Sequence, residues 1–374
     1  VTNDFGPRAG GIETFVIGLL ERIKGHEVTV FTSQQGDTSV YDQQWLDKFG
    51  VRVIRDQSKI LLPTWRVTRA AQKIVAAKNI DVVVFGAAAP LALMSPSLRK
   101  SGVKKIIALT HGHEVWWARI FPFNFAIKRI GKSVDHLTYL GEFTRQAISK
   151  ALSRKSATEM VKIAPGIDTA HFIPQPDAMQ KRKELGLQDK KIIISVGRLV
   201  HRKGQDHLIQ ALPEILKSVP DAHILMVGQG PYLSHLKKLV QELNLVDHVS
   251  FIGRIQYAQL PQYICAGDIF AMPSRSRFFG LEVEGLGIVY LEASACGLPV
   301  IVGNSGGAVD AVKDKVTGLI VDGNNTQMIA DSICQLLAEP VKAQSMGQSG
   351  RKWVLDNWQL SSWSKKFNDL LISN

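Results

Sequence analysis

The stretch Arg198-Leu-Val-His-Arg-Lys203-Gly204 follows an apolar run and precedes a helical pattern. Parallel sheets bind ligands in the loops after their strands, so two cations spaced in this way can converge there on a diphosphate. Arg offers a planar fork and Lys a point charge, and together they would neutralise a leaving group without a metal ion. On spacing alone the segment also reads as a solvated basic loop. Its acidic counterpart is Glu284-Gly-Leu-Gly-Ile-Val-Tyr-Leu-Glu292. A glycine-containing turn leads there into a helix whose first amides can hold phosphate oxygens. The two carboxylates stand roughly two helical turns apart, so both can lie along one side of a ligand and accept hydrogen bonds from sugar hydroxyls. Glu282 is a decoy beside them. Glutamates at this spacing are usually surface residues, and the glycines between them weigh against that.

Thr110-His111-Gly112-His113-Glu114 directly follows a β-rich run. A His at a strand's carboxyl end, followed by Gly, is placed to meet a substrate, although a structural His remains open. The spacing is not the helical H-E-x-x-H pattern, and no metal is expected. Gly6-Pro-Arg-Ala-Gly10-Gly11 lacks the Lys-Ser/Thr of a P-loop, but its paired glycines would let backbone amides approach an anion. Gly228-Gln-Gly230 reads as a tight turn.

The elements that must position these residues alternate between strand and helix. Short β-rich runs stand at residues 27–32 (EVTVFT), 80–85 (IDVVVF) and 105–110 (KIIALT). Ile12, Phe15, Val16, Leu19, Leu20 and Ile23 repeat at helical spacing between them. The pattern restarts at 191–196 (KIIISV), with strands expected near 223–227, 248–252, 269–272, 300–302 and 319–321 and helices near 206–216 and 232–243. Such alternation predicts an α/β chain of parallel sheets buried on both faces, arranged as two Rossmann-like domains facing across a cleft. The boundary falls near 170–188. The tail at 346–372 is amphipathic, with Trp353, Trp358, Trp363 and Phe367, and needs a partner surface.

Composition narrows the possibilities. The 374 residues are 45% hydrophobic and 21% charged, which excludes disorder. No apolar run approaches the roughly 20 residues of a spanning helix, the longest at 82–94 being broken by Gly86 and Pro90. Cys265, Cys296 and Cys334 lack metal-type spacing, so neither a disulfide scaffold nor a zinc site is expected, and a reducing compartment fits. Val1-Thr2-Asn3-Asp4 reads as the end of a strand already running, so a few residues upstream are expected. The net charge of +12 is uneven: residues 1–175 hold 24 basic against 14 acidic side chains, and residues 176–374 hold 21 against 19. An anionic partner for the first half follows, unless the face is merely soluble.

Taken together, the paired glycines, His111, Arg198 with Lys203 and Glu284 with Glu292 resemble the retaining GT-B glycosyltransferases of family 4. Pro165-Gly-Ile-Asp168 followed by Phe172 is similar to that family's interdomain signature. Phe85-Gly-Ala-Ala-Ala-Pro-Leu-Ala-Leu-Met94, Thr110-His-Gly-His-Glu-Val115, Asp206 and the run from Val283 to Ala293, continuing to Asn304-Ser-Gly-Gly307, further resemble actinobacterial phosphatidylinositol-mannoside mannosyltransferases. The resemblance spans nearly the whole chain. It implies an acceptor-binding domain at 1–172, joined by 356–374, and a nucleotide-sugar donor domain at 173–355.

By motif position it implies that Arg198 and Lys203 hold the diphosphate, Glu284 the donor sugar hydroxyls and Glu292 the ribose. His111 would meet the transferred sugar near its 6-hydroxyl, and Gly10 and Gly11 would line the phosphate site. Arg254, Gly287, Ile288 and Val289 complete the implied donor set. The implied reaction is front-face transfer of mannose from GDP-mannose to a phosphatidylinositol monomannoside, with the GDP phosphate helping to deprotonate the acceptor and no cofactor. The sequence departs from the family pattern at Gly6, near Trp116 and at Phe278-Phe279, where the relatives carry Pro, Gly and glycines.

Trp116, Trp117, Phe121, Phe123 and Phe125, followed by Lys128, Arg129 and Lys132, form an aromatic-then-basic segment. Aromatics at headgroup depth beside cations suit docking on anionic lipid, which predicts a peripheral protein at the cytoplasmic face of the plasma membrane. Packing of some of these rings inside their own domain is the alternative. Rival functions are a family 4 enzyme with another nucleotide sugar or a polyprenyl or glycan acceptor, and a silent nucleotide- or nucleic-acid-binding protein. No nucleic-acid motif supports the last of these.

Overall fold

The computed structural model describes residues 1–7 and 10–373, and the chain divides into two compact units. Unit 1 is Val1–Pro165 with Ser361–Asn374, and unit 2 is Gly166–Leu360. The sequence placed the division at 172/173, with the return at 356. The observed division comes earlier because Ile167 pairs with Gln359, tying the first linker residues to unit 2. There Ile167 N donates to Trp358 O at 2.7 Å, and Leu360 N to Ile167 O at 2.9 Å. Both covalent links between the units therefore run side by side.

Unit 1 contains β1 (Thr29–Ser33), β2 (Arg52–Asp56), β3 (Val82–Phe85), β4 (Lys105–Ala108), β5 (His136–Tyr139) and β6 (Val161–Lys162). All pair in parallel, as β1-β2 and as β3-β4-β5-β6. The chain start joins the two sheets. Thr2 N donates to Phe31 O at 3.0 Å and Gly86 N to Val1 O at 2.9 Å, so Val1 and Thr2 run between β1 and β3. The helix Gly11–Leu20 buries Phe15, Val16 and Leu19, the residues whose spacing marked it. The core gathers Phe85, Leu98, Ile106, Ile130 and Ile148, all fully buried. The final helix, Leu360–Ile372, buries Phe367, Leu370 and Leu371. Asn368 bonds both Arg22 O (3.0 Å) and Lys24 N (3.1 Å), so unit 1 supplies the surface for the end of the amphipathic tail, whose earlier part, with Trp353 and Trp358, belongs to unit 2.

Unit 2 contains β7 (Lys191–Val196), β8 (Ala222–Val227), β9 (Val249–Gly253), β10 (Ile269–Met272), β11 (Val300–Gly303) and β12 (Gly318–Val321). They form one parallel sheet in the order β12-β11-β10-β7-β8-β9. Counted from β7 this is the doubly wound order, with its switch point between β7 and β10. Ile193, Ile224, Met226 and Ala271 pack on one face against Leu208, Leu212 and Ile215 of the helix Gln205–Ser218. The alternate residues Ile192, Ile194, Leu225 and Phe270 are fully buried too. This two-sided burial is why these strands read as unbroken apolar runs.

Candidate active site

The loops at the switch point carry the charged residues of unit 2. After β7 the chain passes through Gly197 and Arg198 to a single turn, His201–Lys203, and then Gly204. Gly204 has φ +73°, and a Cβ there would lie 1.9 Å from Pro273 O, so only glycine allows the β7 and β10 loops to approach this closely. Lys203 is buried, and its Nζ lies 2.9 Å from Glu284 Oε2. Arg202 Nη1 reaches the same oxygen at 2.5 Å. Arg202 carried no role in the sequence reading. Glu282, the expected decoy, pairs instead with Arg277 at 3.0 Å.

Burial works against ionisation of Glu284, but Lys203 and Arg202 outweigh it and hold its carboxyl below the usual range. Glu284 is fixed by its backbone as well, with its N donating to Ser305 Oγ at 3.3 Å and its O accepting from Gly307 N at 2.8 Å. Gly287, at φ +75°, opens the helix Ile288–Ala295, which includes Ile288 and Val289 and buries Glu292. Burial pushes the Glu292 carboxyl up to about 7, with Lys203 opposing. Arg198 and Arg254 are both exposed, after β7 and β9. Among the described residues neither forms an ion pair.

A second buried cluster sits behind Lys203. The Arg275 guanidinium clamps Asp206 through two bonds of 2.9 and 2.6 Å and lies 2.8 Å from His201 Nδ1. Tyr232 donates to Asp206 at 3.0 Å, and Arg275 N donates to Arg202 O at 2.8 Å. Arg275 therefore braces the Arg202–Lys203 turn from both sides. Arg275 was not singled out in the sequence reading. Its place just after β10, across the switch point from β7, was the available signal. Farther along that loop, Phe278 and Phe279 hold left-handed backbones (φ 49° and 54°), and the Phe279 ring stands free in solvent.

Unit 1 holds the remaining candidates. His111 is buried after β4, with its N donating to Glu114 Oε2 at 2.9 Å and its Nε2 on the Gly86 carbonyl. Burial keeps its ring below the usual histidine range and so favours the neutral form. His113 Nε2 lies 3.3 Å from Glu114 Oε1. Gly10 caps the helix Gly11–Leu20, and a Cβ at Gly11 would meet open space. The intervening Arg8 and Ala9 lie outside the described residues.

Trp116 and Trp117 are half-buried, and Phe123 packs against both rings at 5.0 Å. The helix Phe123–Ser133 buries Ile127 and Ile130 and exposes Phe125, Lys128, Arg129 and Lys132. The aromatic segment thus divides: the tryptophans pack within the unit, while Phe121 and Phe125 stand in solvent beside the cations. Among the described residues, no helix is long and apolar enough to cross a membrane.

A sheet of this order, with cations and carboxylates meeting at its switch point, suits a phosphorylated, hydroxyl-rich ligand. Residues 177–353 match the family described as Glycosyl transferases group 1, and residues 9–171 match Glycosyltransferase Family 4. The chain is a family 4 glycosyltransferase. It is 42% identical over 373 residues to the GDP-mannose-dependent alpha-(1-6)-phosphatidylinositol monomannoside mannosyltransferase of Mycolicibacterium smegmatis, covering 99% of this chain and 97% of that one. The GDP-mannose-dependent monoacylated alpha-(1-6)-phosphatidylinositol monomannoside mannosyltransferase of Corynebacterium glutamicum is 39% identical, covering 100% of this chain and 97% of that one. Among solved structures, Anabaena HepE in complex with UDP superposes with a TM-score of 0.82 at 18% identity, covering 99% and 98% of the two chains. That likeness gives the fold, GT-B.

Proposed function

We propose that this glycosyltransferase moves mannose from GDP-mannose to a phosphatidylinositol monomannoside, with retention, while docked peripherally on the cytoplasmic face of the membrane. The Lys203–Glu284 pair carries the reading: a buried cation and an ionised carboxylate 2.9 Å apart at the switch point. Lys203 and Arg198 neutralise the departing GDP, a form of electrostatic stabilisation that is usually a large part of catalysis. Glu284 accepts from hydroxyls of the mannose, Glu292 from the ribose, and the amides opening the helix Ile288–Ala295 face the phosphates. His111 meets the mannose as a neutral donor or acceptor. The GDP phosphate takes the acceptor's proton, so neither a protein nucleophile nor a metal is required. The names of the mycobacterial and corynebacterial relatives support the choice of donor and acceptor.

The docking surface is the exposed run Phe121, Phe125, Lys128, Arg129 and Lys132, where apolar rings can enter the interface beside cations that meet anionic headgroups. The deciding experiment offers GDP-mannose and UDP-glucose separately, with phosphatidylinositol monomannoside in anionic vesicles. Mannosyl transfer from GDP-mannose, with co-sedimentation that weakens as salt rises, is expected. Transfer from UDP-glucose alone overturns the donor, and salt-independent or absent sedimentation overturns the docking surface.

A further inference from the structure

Both cations that reach Glu284 meet the same oxygen. Lys203 Nζ lies 2.9 Å from Oε2 and Arg202 Nη1 lies 2.5 Å from it. Among the described residues, no protein donor reaches Oε1. We propose that Arg202 is a positioning residue that fixes the rotation of the Glu284 carboxylate, so that Oε1 is presented to a hydroxyl of the donor sugar and binding energy is directed to the sugar half of the donor. The inference rests on the reading of Glu284 as a sugar ligand.

The chemistry of the two cations assigns them different tasks. An ammonium is a compact charge on a flexible stem and can sit against either carboxylate oxygen. It is also the group that a diphosphate would draw away. A guanidinium is a rigid planar donor whose hydrogen bonds have direction. With Arg202 on Oε2, the carboxylate stays ionised and oriented even when Lys203 turns to phosphate.

Arg202 does not depend on the ligand for its own place. Its carbonyl accepts from Arg275 N at 2.8 Å, and the Arg275 side chain is locked on Asp206 and His201. Glu282 Oε1, 3.9 Å from Arg202 Nε, adds a weak restraint on the outer side. The turn is therefore braced before any donor arrives, which is the condition for preorganised recognition.

Dissociation constants of GDP and GDP-mannose, and of UDP and UDP-glucose, measured by calorimetry on the full chain and on Arg202→Gln, Glu284→Gln and the double variant, test this. Folding of each variant is checked by circular dichroism, and Arg202→Lys serves as a second variant that keeps the charge but not the fork. For whichever pair the unaltered chain binds, Arg202→Gln should weaken the nucleotide sugar about tenfold or more, as befits a lost charge-assisted contact. The free nucleoside diphosphate should change by less than about twofold on the same scale. Arg202→Lys should fall between, and the double variant should be no weaker than Glu284→Gln, since one residue acts through the other. Equal weakening of nucleotide and nucleotide sugar, or additive losses, overturns the inference. Binding of the UDP pair alone overturns the proposed donor and leaves Arg202 to be judged on that pair.

Discussion

Glu292→Gln should make the protein more stable at pH 8 while weakening its hold on the donor. The carboxyl of Glu292 is buried, and burial moves it from the ordinary 4.5 up to about 7, against the opposing charge of Lys203. The folded chain therefore keeps a proton there through a pH window in which the unfolded chain has released it. Stability falls with rising pH wherever the folded state binds more protons. The loss starts near 4.5, is complete above about 7, and at about 1.4 kcal/mol per pH unit amounts to about 3 kcal/mol.

Glutamine keeps the shape and cannot ionise, so the variant escapes that loss. Urea unfolding of both proteins at pH 5 and pH 8 measures it, and the difference between them cancels the other titrating groups. Near-equal stability at pH 5 and an advantage for the variant of up to about 3 kcal/mol at pH 8 are expected. An equal deficit at both pH values would refute the reasoning, because Glu292 would then be stabilising as a carboxylate. Loss of donor binding alongside gained stability would mark the position as one kept for function.

Asp206→Asn strands the buried guanidinium of Arg275 and should lower the unfolding free energy by about 3–5 kcal/mol, read by urea denaturation. Gly204→Ala places a methyl against Pro273 O at a left-handed φ, and transfer assays should find it nearly inactive even where circular dichroism finds it folded. Phe279→Gly relieves a left-handed conformation worth about 1–2 kcal/mol but gives the unfolded chain extra freedom worth about 0.5–1 kcal/mol. Its melting temperature should therefore stay level or rise slightly, and a marked fall would contradict the exposed, left-handed placement of this residue.

The strands of unit 2 were legible because they are buried on both faces. β7 and β10 match their expected bounds, and the other four lie within a residue of them. β2, β5 and β6 were not, since Arg-Val-Ile-Arg-Asp, His-Leu-Thr-Tyr and Val-Lys are short and partly exposed, with polar residues in each. Lys203 and Glu284 could be singled out because each sits in a loop beside a buried element. Arg202 could not, because nothing local shows that its side chain crosses to a residue 82 positions away. The aromatic segment left two readings open for a similar reason: a run of rings does not reveal which of them pack within the unit and which stand in solvent.

The placement of the helix Leu360–Ile372 in unit 1 has a consequence for biosynthesis. A ribosome delivers the chain in order, and domains generally fold as they emerge. Unit 1 is made first, yet Phe367, Leu370 and Leu371, which close part of its core, follow the whole of unit 2. Unit 2 can therefore finish folding while unit 1 still lacks its last helix. During that interval, apolar surface destined for Phe367 and its neighbours is open to the cell, so the earlier-made half is the later to mature and the one that chaperones would be expected to hold.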